Sequence, residues 1–293
     1  MNESIGMCAS IGMLAPRSAL KDYVISGCKE VVRENPVVLA LQRKSYDRAQ
    51  YKLYAAQRAY VATNFIRLLK KGQGLAFEFG DVELAGVLQS NLNDEQGIGP
   101  DGQYDHALSH LNWKIDYLRA LGLEADVPEF PLLPGTQRHV EAFLALEREG
   151  TLFSISGALL SLENIIPLEY RAASWSRDHL FPEIFNLGEA DTPQVQQEKI
   201  RARKYMDDHI IHDAKYHFPL LLRALEKYEG NADLMREIHC GIDLVNHYRK
   251  QFYADLHVAM QLAASDMHFY TFGGAMPPQL AASGMGGGIG PFV

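Results

Sequence analysis

Apolar residues recur every three or four positions along most of this chain, and no stretch alternates apolar with polar. The first spacing marks one face of an α-helix; the second, which a half-buried strand would show, is missing. Leu20, Tyr23, Val24 and Cys28 mark such a face, predicting a helix over about 18–33 with Ser18 as its N-cap. Pro36 suits the first turn of the next helix. A longer segment from about Lys44 to Lys71 carries Tyr51, Tyr54, Phe65, Leu68 and Leu69, and Gly72-Gln73-Gly74 is expected to close it. Further helices are expected over about 75–95, 104–121, 137–149 and 152–165, with Pro167 opening another to about Leu180. Thr192-Pro193 starts one reaching about Tyr228, kinked where Pro219 removes a backbone donor and crowds the carbonyl of Lys215. A last helix covers about 231–264. The sum is an all-α bundle of about eight to ten helices in one domain, 17–265, between a loose N-terminus (1–16) and a Gly/Pro-rich tail (266–293).

Composition narrows the function classes. The formal net charge is −8 with no basic stripe, which disfavours nucleic acid. Three scattered cysteines, with no Cys-x-x-Cys pair, argue against a zinc ribbon or disulfide framework and for a reducing compartment. Residues 4–15 are mildly apolar but lack a basic leader, so no secretory signal is expected, and no apolar run of about 18 residues suggests a membrane span. The expectation is a cytoplasmic protein, compatible with a homodimer.

Chemistry concentrates in Asp207–His217. His209, Asp213 and His217 are spaced four apart, so each advances about 40° around a helix and all project from one side. Imidazoles and a carboxylate on one face suit a transition metal such as iron, although a solvated polar face would read the same way. Two other stretches can complete a site. Glu95 follows Leu88 and Leu92 on the buried side of its helix, and His106 or His110 lies on the next helix. Glu163 sits among Leu159, Leu160, Leu162, Ile165 and Ile166, where a carboxylate is costly unless it is paired or coordinating. An arginine partner or a solvent channel would also satisfy it. Glu95, His110, Glu163, His209, Asp213 and His217 thus make three carboxylates and three imidazoles, an inventory for two divalent irons or, nearly as well, two manganese ions. His212 falls off that face.

Asn91-Leu92-x-x-Glu95-x-Gly97-x-Gly99, then His110 and Ala120-Leu121-Gly122-Leu123, Glu163 before Pro167, and His209/Asp213/His217 together resemble the heme-oxygenase-like diiron oxidases and oxygenases over residues 75–260. The segment from Glu95 to the first histidine is longer than in many relatives. The resemblance implies seven core helices plus N-terminal ones, without haem. It implies two Fe(II) ions held by the six residues, dioxygen as cosubstrate, and a small-molecule substrate, with an external electron donor compatible. Members N-oxygenate amines or amino-acid side chains, or cleave C–C bonds of fatty or amino acids, often in natural-product biosynthesis. The expected activity is therefore O2-dependent oxidation of a small amine or amino-acid-like molecule, with no catalytic residue assigned beyond the metal ligands. The alternatives are a metal-independent oxidase or hydrolase on the same bundle (TenA/PqqC-like) and a non-enzymatic helical interaction protein.

Overall fold

The structure, a computed structural model, describes residues 20–123 and 130–265. Its elements are α1 (Leu20–Cys28), a π-helical turn (Lys29–Arg33), α2 (Pro36–Gln42), α3 (Arg48–Ala62), α4 (Phe65–Phe79), α5 (Val82–Gln96), α6 (His110–Ala120), α7 (Pro134–Glu149), α8 (Leu152–Leu180), α9 (Pro182–Phe185), α10 (Pro193–His212), a second π turn (Asp213–His217), α11 (Phe218–Glu226) and α12 (Ala232–Ser265). Among the described residues the sole extended pairing is an isolated bridge between Ile98 and Tyr104. The chain is all-α, as its periodicity predicts. The expected N-terminus 1–16, the Ser18 cap and the tail 266–293 lie outside the described residues.

Helix starts follow capping chemistry. Asp47 accepts from the Gln50 amide while the Gln50 side chain accepts from the Asp47 amide; Asp81, Thr151 and Thr192 each accept one backbone N–H in the first turns of α5, α8 and α10. Helix ends depart further from expectation. The Gly72-Gln73-Gly74 run does not stop α4, which continues to Gly80. Gly72 is instead a packing glycine: a Cβ there would meet Ile155 at 3.2 Å and Leu88 at 3.3 Å. Residues 98–108 are loop rather than the start of α6, and Phe77 is 73% exposed.

Pro167 does not divide its segment. α8 runs unbroken for 29 residues, and burial on nearly all sides holds it together where the proline removes one backbone bond. Its main partner is α12, and the two cross where Gly157 and Gly241 let the backbones touch; a Cβ on Gly241 would collide with the Ser154 carbonyl. The stretch expected not to qualify as a membrane span does reach a spanning length and hydropathy in α8. Its most apolar 18 residues are 83% buried inside the bundle, which marks a core helix. Glu163 and Glu169 both lie on this central helix.

Candidate metal centre

Five elements deliver the six singled-out residues to one place. α5 brings Glu95 in its last turn, next to Asp94. Two carboxylates at a helix C-terminus stand against the negative end of its dipole, so this end favours a cation. Gly97 then turns the chain back with φ +74°, and its carbonyl accepts from Asp105 at 2.7 Å. A Cβ on Gly97 would strike the Asp105 carbonyl and the Ser109 amide, so glycine is required here for space as well as for φ. The folded loop sets Ser109 as the cap of α6 and makes His110 its first helical residue. His106 remains exposed in the loop, so His110 fills the position that the sequence left open between them.

The remaining four come from α8 and from the α10–α11 segment. Along an α-helix, His209 and His217 would drift apart by about 80° over eight residues. The π turn Asp213–His217 is wider, closed by Phe218 N–H to the Asp213 carbonyl, and turns the chain less per residue. It takes back that drift. The kink expected at Pro219 is accommodated this way, with the proline in the first turn of α11.

Two buried triads result, Glu95/His110/His209 and Glu163/Asp213/His217; within each, the potential ligand atoms lie within 4.8 Å of one another. In the first, Glu95 Oε1 is 3.0 Å from His110 Nδ1 and 3.6 Å from His209 Nε2. In the second, His217 Nδ1 is 3.2 Å from Asp213 Oδ1 and 3.5 Å from Glu163 Oε2. Asn91 donates to Glu163 Oε1 at 3.1 Å, whereas buried Glu163 Oε2 has no hydrogen-bond partner.

Each imidazole keeps one nitrogen inside its triad and the other on an outer acceptor. His110 Nε2 faces Asp208 at 3.5 Å, His217 Nε2 faces Asp94 at 3.0 Å, and His209 Nδ1 donates to the Tyr205 carbonyl at 2.6 Å. On deprotonation that pattern leaves the inner nitrogen's lone pair pointing into the triad, as in histidines that bind metal. Asp94 and Asp208 are the residues that spacing alone missed; each is an acid directly preceding a singled-out residue, Glu95 or His209. His212 is half-buried and lies 3.4 Å from Asp94, making a third, more exposed group with Asp94 and His217.

Electrostatics show how the cluster balances with protons alone. Burial pushes Glu95 up, but His110 and His209 outweigh it and hold its carboxyl well below the usual range. Burial opposes a charge on His110, yet Glu95 and Asp208 push its pKa up to about 10. His217 is likewise raised, against its burial, by Glu163, Asp213 and Asp94. Glu163 goes the other way: burial, with Asp213 and Glu95 adding to it, pushes it up to about 6 although His217 opposes.

A cavity adjoins each triad. Beside Glu95 and His209 is a space of about 30 Å³ with mixed walls, apolar from Phe65, Phe143, Leu162 and Ile166 and polar from Arg58, Tyr170 and Tyr205. Beside Glu163 and Ala214 is a larger one of about 190 Å³.

No family model and no curated protein matches the sequence. Among solved structures, the chain is similar to a CadD-like protein of unknown function from Nostoc punctiforme. The crystal structure at 2.00 Å has a TM-score of 0.58 and 15% identity, covering 82% of this chain and 98% of that one. The structure at 1.35 Å gives 0.59 and 14%, with 83% and 96% covered. At this identity the likeness shows a shared helical fold and nothing about chemistry.

Proposed function

We propose that this chain is a non-haem diiron enzyme that uses dioxygen to oxidise a small amine or amino-acid-like molecule. One observation carries the reading: six residues distant in sequence form two adjacent buried triads in which every imidazole is oriented by an outer acceptor. The donor set fits the group. Glu95 with His110 and His209 is the two-histidine, one-carboxylate set typical of non-haem Fe(II), and Glu163, Asp213 and His217 would hold the second ion. The partnerless Glu163 Oε2 is the kind of buried atom that a cation satisfies. When bound, a pair of Fe(II) ions supplies the redox chemistry with dioxygen. The same heme-oxygenase-like bundle without metals remains the competing assignment.

The chain's own residues then have defined tasks. Asp208 and Asp94 hold the outer protons of His110 and His217, and the Tyr205 carbonyl holds that of His209, so the rings cannot rotate out of the triads. The small cavity beside Glu95 and His209 has room for a diatomic gas. N-oxygenation of an amine balances as R–NH2 + O2 + 2e⁻ + 2H⁺ → R–NHOH + H2O, so turnover calls for an external electron donor. We place N-oxygenation slightly ahead of oxidative C–C cleavage.

The test is anaerobic loading with Fe(II), metal analysis, and an oxygen electrode. The expected result is two irons per chain and O2 uptake on exposure to air, with Glu163→Ala and His217→Ala each losing iron. Iron content that stays at background, or that both variants leave unchanged, would remove the reading. Hydrolysis of a thiamine-like substrate by metal-free protein would put the metal-independent alternative in its place.

A further inference from the structure

The larger cavity has a charge gradient along its length. Five of its lining residues, Glu163, Asn164, Pro167, Leu168 and Arg171, belong to α8 at spacings of one, four, five and eight from Glu163, which is one stripe of the helix. That stripe begins at the second triad and ends at an exposed arginine about 12 Å further along the axis. Across the cavity, the first π turn contributes Arg33, also exposed, and the second contributes Ala214. Neither guanidinium makes an ion pair or hydrogen bond among the described residues. By contrast, Arg58, Arg177 and Arg203 all face carboxylates.

The opposite end is an acceptor. Pro167 has no N–H to offer the carbonyl four residues earlier, so the Glu163 backbone oxygen lacks its helical donor beside the Glu163 carboxylate. The walls between the two ends are apolar or neutral: Ile25, Leu168, Phe218 and Cys28, whose thiol points its hydrogen at the Asn164 carbonyl. Positive at the mouth, negative at the floor and apolar between, the cavity is complementary to a molecule with an ammonium at one end, a carboxylate at the other and a short hydrocarbon chain joining them. At about 190 Å³ it is below the size of a drug-like pocket and suits a small metabolite.

We infer that this cavity is the substrate subsite, with Arg33 and Arg171 gripping the carboxylate of an α,ω-amino acid and thereby presenting its distal amine to Glu163. The inference rests on the oxidase reading for its meaning but not for its test. The rise from Glu163 to Arg171, less the reach of the arginine side chain, spans several methylenes, so the two functional groups must stand well apart.

Calorimetric binding of β-alanine, γ-aminobutyrate and ε-aminocaproate to the purified full chain under argon separates the possibilities without turnover. Affinity should rise along that series, and hexylamine, which lacks the carboxylate, should bind at least tenfold more weakly than ε-aminocaproate. Arg33→Gln and Arg171→Gln should each weaken ε-aminocaproate about tenfold, the weight of one charged hydrogen-bonded contact, and leave hexylamine unchanged. Both positions are exposed, so the variants should fold and keep the wild-type iron content. The subsite is overturned if no member of the series binds, or if the double arginine variant binds ε-aminocaproate as well as wild type. Loss of ε-aminocaproate affinity in variants of a protein that never binds iron would keep the subsite and discard the oxidase.

Discussion

Glu163 and Glu169 are the same residue on the same helix, six positions apart, at 1% and 0% exposure, and the bundle treats them oppositely. Glu169 is met by resident cations: Arg58 at 3.2 Å and Arg249 at 3.8 Å, with the Tyr54 hydroxyl donating at 2.9 Å. Burial would raise it, but Arg58 and Arg249 outweigh that and hold it below the usual carboxylate range. Glu163 is met by Asp213, Glu95 and imidazoles, and it is pushed up. One carboxylate is paired with two permanent guanidinium charges; the other sits among carboxylates, with the titratable His217 as its neighbouring cation. The difference separates a buried carboxylate with permanent counter-charges from one whose counter-charge is a titratable imidazole.

The largest effect should come from breaking the Glu169 network. Glu169→Gln leaves two buried guanidiniums without their counter-charge, and removal of one partner from such a site costs about 3–5 kcal/mol. Urea unfolding of metal-free protein should show that loss, which is a large share of a stability of about 5–15 kcal/mol. Glu163→Gln, the same chemical change on the same helix, should cost far less metal-free stability, because burial and the neighbouring Asp213 and Glu95 already disfavour the charge and outweigh His217. Equal losses in the two variants would erase the distinction.

Fe(II) should narrow the gap between the two variants. A ligand that binds only the folded chain adds about 2.7 kcal/mol at a hundredfold excess over its Kd. Anaerobic thermal unfolding should show this gain in wild type and in Glu169→Gln, although the latter starts lower. It should be smaller in Glu163→Gln, which keeps the Glu95/His110/His209 triad but loses a donor of the other. A gain of the same size in Glu163→Gln would mean that iron binds elsewhere.

The six residues of the triads were readable in the sequence because each interrupts a helical apolar pattern or repeats at four-residue spacing within one. Glu163 stood out among leucines and isoleucines, and Asp213 and His217 among a dense polar run. What lies between those residues was not readable. Spacing gives a turn angle only if the helix is α throughout, so the π turn that brings His217 back into line left no periodic trace beyond Pro219. Gly72 and Pro167 looked like ends because local preference ends helices there; tertiary packing against Ile155 and burial along α8 overrode it. Asp94 and Asp208 carry no period at all, since their role depends on the direction of an imidazole's second nitrogen. The second cavity depends on which α1 and π-turn residues oppose α8, a register that no single segment encodes.

Those two aspartates give the next effect down. Asp208→Asn and Asp94→Asn keep the shape but weaken the acceptors that hold His110 and His217, and such outer partners are worth about 10–100-fold in metal affinity. Competition with a coloured chelator should show that loss while the stoichiometry at saturating Fe(II) stays at the wild-type value. A drop in stoichiometry would instead make Asp94, with His212 and His217, part of a site of its own.

The smallest effect is a slope, and its sign divides the two carboxylates again. Glu169 has a folded pKa below its ordinary 4.5, so its contribution is fully present above that value and is lost as pH falls through the depressed folded one. The stability gap between wild type and Glu169→Gln should therefore stay constant from neutral pH down to about 5 and narrow in more acid solution. Glu163 is raised from 4.5 to about 6, so its protonated form is the one the fold prefers. Metal-free wild type should lose stability relative to Glu163→Gln as pH rises through that interval, the opposite direction. Urea titrations of the three proteins in chelator at several pH values measure both slopes. Parallel slopes would mean that His217 outweighs the burial of Glu163 as the arginines do for Glu169, and that the contrast between the two glutamates reflects geometry rather than charge.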